Sequence, residues 1–170
     1  MSEYKKYVNG KYIDMTEEEI KQLEEAAYVP IEKIRADKIS EMSAICNQTI
    51  ENGFDLQMTD GTTEHFSLTT QDQLNLTTLS AMIQSGLQTI PYHADGELCK
   101  FYSVEDMKKL IDYGTKFITY QTTYFNSLRN YISSLENADE IKAVEYGVLI
   151  PDDYQSDVLK LLESDENVNE

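Results

Sequence analysis

No tryptophan occurs in this 170-residue chain, cysteine and histidine appear twice each, and proline three times. The cysteines, Cys46 and Cys99, stand alone in unrelated segments. A disulfide framework or a structural zinc site needs more ligands at tighter spacing. Both are therefore expected to be small buried hydrophobes in a reducing cytoplasm. The histidines, His65 and His93, are 28 positions apart, which matches no ligand motif, and both are expected to be structural. No run approaches the roughly 18 apolar residues that a membrane span requires. Met1 to Tyr7 leads straight into turn residues without an apolar h-region, so no secretory signal is expected there. Basic residues are scarce as well: 14 against 31 acids, a net charge of −17. Such a chain repels phosphate backbones and anionic lipid, so neither nucleic acid nor a membrane is an expected partner. The charge serves solubility, or docking on a basic protein surface.

What is present is punctuation. Asn9-Gly10, Asp60-Gly61 and Asp95-Gly96 offer the positive φ angles of two-residue hairpin turns. Six to eight residues after each comes a helix-capping pair: Thr16 with Glu19, Thr69 with Asp72 (or Thr70 with Gln73), and Ser103 with Asp106. The chain thus reads as hairpin and helix repeated three times. The strands are expected over 4–8 and 11–15, 54–58 and 65–68, and 89–93 and 98–102, with Pro91 placing its strand at an edge. A lone hairpin is marginal in water, so the first must pack on something. Helical spacing runs from Thr16 to Ala27, from Ile31 to about Glu51, and from Thr69 or Thr70 to near Gly86. Pro30 either breaks the first of these or marks the restart of the second.

The longest element opens at Ser103. Met107, Ile111, Gly114, Ile118, Gln121, Phe125, Leu128, Ile132 and Leu135 follow at alternating steps of four and three, a heptad seam over 103–136. Such a helix is about 50 Å long. Its first half is expected to grip the earlier helices. Its second half, rich in Tyr and Thr, is open to internal packing or to another chain. Asn137-Ala138-Asp139 is expected to break it. An apolar patch (144–150), a short helix with Tyr154, Val158, Leu161 and Leu162, and an acidic tail from Glu163 complete the chain. The expected class is α+β, with an N-terminal hairpin and helix (1–29), a main domain (30–136) and a C-terminal segment (137–170). With 41% hydrophobic residues and 12 tyrosines, it can bury a core and still present half-wet aromatics.

Chemistry is harder to find. Glu17 to Glu19, Glu105-Asp106 and Asp152-Asp153 all stand at helix starts, where capping and the helix dipole account for them. Asp55, Asp60 and Glu64 lack the spaced loop of a calcium hand. No nucleophile has a recognisable base beside it, and no Gly-rich phosphate loop is present. The expectation is a protein without catalytic residues, metal or cofactor.

As a set, Lys33-Ile34-Arg35-Ala36-Asp37-Lys38-Ile39, Ala44-Ile45-Cys46, Thr59 through Thr69 and Asp72-Gln73-Leu74-Asn75-Leu76 resemble a domain of unknown function. That domain is encoded among tail and baseplate genes of phages and prophages of gut Firmicutes. Tyr92 to Gly96, Tyr102 to Met107 and Tyr120 to Leu128 continue the likeness, over roughly residues 30–132. The resemblance implies a structural or adaptor protein of a phage tail, baseplate or fibre region, made in the bacterial host cytoplasm and incorporated in the particle. Its partners would be other tail or fibre proteins, with homo-oligomerisation left open. Tyr120, Tyr124, Phe125 and Tyr131 are the candidate partner-interface residues. Two rival expectations are a fibre-assembly chaperone absent from the finished particle and a receptor- or glycan-binding module.

Overall fold

The computed structural model describes residues 4–166; Met1 to Glu3 of the leader reading and residues 167–170 of the acidic tail lie outside them. The protein is α+β. Its order is β1 (Lys5–Val8), β2 (Lys11–Asp14), α1 (Glu17–Ala27), α2 (Ile31–Asn52), β3 (Phe54–Gln57), β4 (Thr63–Phe66), α3 (Thr70–Gln84), β5 (Thr89–Tyr92), β6 (Lys100–Ser103), α4 (Val104–Ser134), α5 (Ala138–Ala143), a single 3-10 turn (Asp152–Tyr154) and α6 (Asp157–Glu166). The strands pair only within their hairpins, as three separate two-stranded antiparallel sheets.

The three caps form as their spacing predicts. Thr16 Oγ1 accepts from Glu19 N at 3.3 Å, while Glu19 Oε2 accepts from Thr16 N at 3.0 Å. Thr69, rather than Thr70, makes the equivalent box with Asp72. Ser103 Oγ accepts from Asp106 N at 3.0 Å. The turns agree less well. Only Asn9-Gly10, with φ of 47° and 82°, closes a two-residue hairpin, between paired Val8 and Lys11. Gln57 pairs with Thr63, leaving residues 58–62 as a loop, and Tyr92 pairs with Lys100, leaving 93–99. Both loops are long because they are anchored elsewhere. Met58 is buried, and Asp95 N donates to His65 O at 2.9 Å across to the neighbouring hairpin.

The heptad seam becomes α4, 31 residues and about 46 Å at 1.5 Å per residue. Helix α2 runs antiparallel to it: Arg35 Nη2 donates to Leu135 O at 2.8 Å at one end, and Cys46 Sγ to Gln121 O at 3.5 Å further along. Two cores share this spine. The first half of α4 (Met107, Leu110) packs with Phe54, Leu56, Phe66, Leu68 and α3. The second half (Tyr124, Leu128, Ile132) packs with Met42, Ile141, Ile150 and Leu159. Phe125 and Tyr146 touch both clusters. Gly114 faces α3, where a Cβ would lie 3.1 Å from Leu76 Cδ1.

Several expectations need correcting. Cys46 is buried but Cys99 is exposed, because it falls in the β5–β6 loop and not in a strand. Asn137 does more than end a helix: its side chain accepts from Asp139 N and Glu140 N and starts α5. In α6 the buried residue is Leu159, whereas Val158 and Leu161 face water. The helix continues to Glu166, so the first part of the acidic tail is ordered structure.

Gly53 ends α2 at φ 73°, and a Cβ there would lie 1.8 Å from Phe66 O. Gly53→Ala therefore forces the C-cap and β4 apart, and is expected to cost well over about 1 kcal/mol. Gly61, with open space around it, should lose about 1 kcal/mol at most on the same change. Denaturant unfolding of both variants checks the difference.

Candidate interaction surfaces

The four aromatic residues expected at a partner interface lie inside the fold, and none of them is exposed. Tyr124 is 6% exposed; its hydroxyl donates to Val148 O at 2.8 Å, and burial pushes its pKa up to about 12. Its ring stacks on Tyr120 at 6.3 Å and meets Tyr146 edge-on at 5.2 Å. Tyr146 donates to Gln121 Oε1 at 2.9 Å, so the polar seam position is filled by a partner from the C-terminal segment. Tyr131 packs on Tyr154 at 5.5 Å. The Tyr-rich half of α4 is thus covered by residues 144–154 of its own chain. Heptad spacing reports that a face is buried; it does not report by what.

A polar junction joins two hairpins. His65 Nδ1 lies 2.7 Å from Asp55 Oδ1 across the β3–β4 ladder, and Nε2 lies 2.8 Å from Asn52 O and 4.0 Å from Asp95 Oδ2. The hydrogen bond to Asp55 leads in raising the His65 pKa above its ordinary 6.5, against a smaller opposing effect of burial. Asp95 accepts from Ser67 N and Ser67 Oγ. Ser67 thus donates to carboxylates (Asp72 also) and has no histidine acting on it as base. His93 stacks on Tyr92 instead. Among the described residues no group of three His, Cys, Asp or Glu side chains is placed to hold a metal ion.

Asp106 is the buried carboxylate. Burial works to raise its pKa, but hydrogen bonds from Ser103 Oγ, Thr59 N and Thr59 Oγ1 prevail and hold it below the usual carboxylate value. It clips the β3–β4 loop to the start of α4. The α3–α4 surface carries an open groove of about 510 Å³ lined by Leu74, Thr77, Ser80, Ile111, Thr115 and Ile118 among others, with no ionisable side chain. Such a lining can bind apolar matter but cannot transfer protons.

Large solvent-facing apolar side chains include Tyr7, Tyr12, Leu23 and Tyr28 at the N-terminus, Leu98 and Phe101 on the β5–β6 hairpin, and Leu149, Val158 and Leu161 near the C-terminus, besides Leu74, Leu87 and Tyr113 on and beside α3 and α4. The first group stands apart in having nothing buried within its own elements. Neither β1, β2 nor α1 contains a buried residue, so the core that the hairpin was expected to pack on is absent among the described residues. An ion pair between Lys6 and Glu19 ties the hairpin to α1, and it leads in lowering the Glu19 pKa. The sequence signal was the Lys-Tyr-Val and Lys-Tyr-Ile runs, whose periodicity marks strands without saying that both faces stay wet.

An α+β domain threaded on one long helix, with apolar extensions at both ends, is the class that this geometry defines. Within that class, residues 33–148 match the family described as Domain of unknown function (DUF4376), and the chain belongs to that family. No curated protein and no solved structure matches the chain. The matched segment holds both halves of α4 and its partner α2; β1, β2, α1 and α6 lie outside it. Among the described residues no helix is long and apolar enough to cross a membrane.

Because the His65 pKa is raised, its contribution to stability is complete below about pH 6.5 and is lost as pH rises through the higher folded-state value. The stability difference between the parent chain and His65→Asn should therefore be largest near about pH 6 and shrink toward about pH 8.5. Thermal melts of both proteins across that range check the sign.

Proposed function

We propose that this protein is a non-enzymatic structural or adaptor component that acts through protein–protein contacts in the tail, baseplate or fibre region of a phage or phage-like particle. The observation that carries the contact role is the N-terminal unit. A two-stranded hairpin and an 11-residue helix are each marginal in water when alone. Here they stand together with Tyr7, Tyr12, Leu23 and Tyr28 facing solvent. Apolar surface of this kind is characteristic of contact sites, and exposed tyrosines are common anchors in them.

The absence of catalysis in this reading rests on how the candidate groups are used. Asp72 and Asp106 cap helices, and His65 is held between two hairpins. Along the surface between α3 and α4, the stretch lined by Leu74, Thr77 and Ile118 has no titratable side chain, and the adjoining stretch has only Lys108 and Asp112. The net charge of −17 favours protein partners over nucleic acid or anionic lipid. Placement in a phage tail rests on the likeness of the 33–39, 59–69 and 120–128 motifs to domains encoded among tail and baseplate genes. In that setting the protein is made in the host cytoplasm and carried in the particle.

Quantitative mass spectrometry of particles purified from the bacterium that carries the gene tests this reading. A structural component is present at a fixed ratio to known tail proteins. Abundance in the lysate with absence from particles would replace it by an assembly chaperone.

A further inference from the structure

Four Asn-Gly or Asp-Gly pairs occur along the chain: Asn9-Gly10, Asn52-Gly53, Asp60-Gly61 and Asp95-Gly96. Such pairs share a chemical liability. With no side chain on the glycine to obstruct it, the glycine amide nitrogen can reach the carbonyl carbon of the preceding side chain. Asparagine is the more vulnerable of the two, since an ionised carboxylate resists a nucleophile and an amide does not. The fold treats the four pairs differently.

At Asn52-Gly53 the attacking nitrogen is engaged. Gly53 N donates to Ile50 O at 3.0 Å, and the Asn52 main-chain oxygen lies 2.8 Å from His65 Nε2. Space is closed as well, because a Cβ on Gly53 would lie 1.8 Å from Phe66 O. Gly61 N donates to Met58 O at 3.0 Å, and the Asp60 carboxylate accepts from Thr62 N and Thr62 Oγ1. The Asp95 carboxylate accepts from Ser67 N and Ser67 Oγ. Asn9-Gly10 has none of these restraints. Both residues are exposed, and open space surrounds Gly10. Among the described residues, neither the Asn9 side chain nor Gly10 N has a hydrogen-bond partner. The closed turn holds Asn9 at φ 47° between the paired Val8 and Lys11, so attack takes place when the turn opens. Opening costs little here, because β1 and β2 contain no buried residue and a hairpin without a core is marginal in water.

We propose that Asn9 is a site of spontaneous covalent modification, in which Gly10 N attacks Asn9 Cγ. The new N–Cγ bond forms and the Cγ–Nδ2 bond breaks. The side-chain nitrogen leaves as ammonia, carrying the proton that Gly10 N gives up, and a five-membered succinimide remains. Water then opens this ring at one of its two carbonyls. Cleavage at Cγ leaves aspartate at position 9. Cleavage at the main-chain carbonyl leaves isoaspartate, with the main chain running through Cγ. Isoaspartate inserts a methylene into a two-residue turn, so Val8 and Lys11 no longer fall opposite one another and the pairing of Tyr7 with Tyr12 is lost. The chemistry needs only water and is independent of what the hairpin contacts.

Ageing the full chain in native buffer and in urea tests this, with tryptic peptides followed by mass spectrometry and isoaspartate labelled by an isoaspartyl methyltransferase. The peptide from Tyr7 to Lys11 reports Asn9, and fragmentation of the peptide from Ile39 to Lys100 reports Asn52. In the folded chain Asn9 should convert within about tenfold of its rate in urea. The rate should rise with pH, because Gly10 N must lose its proton. Asn52 should convert readily in urea and be slowed at least about a hundredfold by folding. Asn9→Gln, which would have to close a larger ring, should leave its peptide unconverted whether or not the turn still forms. An Asn9 that keeps its amide in the folded chain while losing it in urea would overturn the proposal. So would an Asn52 that converts as fast as Asn9 in native buffer. Neither result bears on the particle mass spectrometry, so the adaptor role stands or falls separately.

Discussion

The antiparallel contact between α2 and α4 is the constraint on which both cores depend. Helix α4 is too long for one globular core to cover, and most of the stability of a helix in a protein comes from packing of its apolar face. Helix α2 solves half of that problem by lying along it, from the Arg35–Leu135 bond to the Cys46–Gln121 bond. The remaining face is shared out: hairpins and α3 cover the first half, and residues 141–159 cover the second. Phe125 and Tyr146 join the two clusters, which makes the domain one body with two centres of packing. Gly114 leaves the space that Leu76 of α3 fills against α4.

The acids that give the chain its charge are much of its wiring. Asp72 closes a cap, and it also accepts from Ser67. Asp106 caps α4 and holds Thr59. Glu64 joins β4 to Lys100 and Tyr102 of the next hairpin, and burial, followed by that hydrogen bond and the Glu64 charge, drives the Tyr102 pKa upward. Three hairpins that share no sheet are thereby attached to helices through carboxylates. Charge-assisted hydrogen bonds are stronger than neutral ones, so a small number of them can position loops that carry few apolar contacts. The N-terminal hairpin has only the Lys6–Glu19 tie of this kind and nothing buried beneath it. That contrast is the basis of the contact role proposed for it.

Much of the architecture is legible in the chain itself because it rests on local chemistry. Ser103 and Thr69 start helices wherever a suitable acid follows three residues later, and the alternating steps from Met107 to Leu135 mark a buried stripe without reference to any neighbour. Loop lengths were not legible: Asp60-Gly61 and Asp95-Gly96 are turn-formers within loops whose span is set by burial of Met58 and by the tie to His65. The burial of Tyr120, Tyr124, Phe125 and Tyr131 is not legible for a related reason. Tyr124 and Tyr131 show the same spacing whether they face a partner or residues 144–154, and that segment has no periodicity from which its fold-back could be read. The exposed Tyr7–Tyr12 pair was hidden by the same logic, since alternation is also what half-buried strands display.

Hydrogen–deuterium exchange of the isolated full chain tests the central claim most directly. If α2 and α4 form the spine and the N-terminal unit lies outside both cores, amides of 35–50 and 107–132 exchange only through global unfolding, while those of 5–27 exchange orders of magnitude faster. Equal protection of residues 5–27 and α4 in the monomer would contradict the account, because it would require a core beneath the hairpin that this fold does not provide.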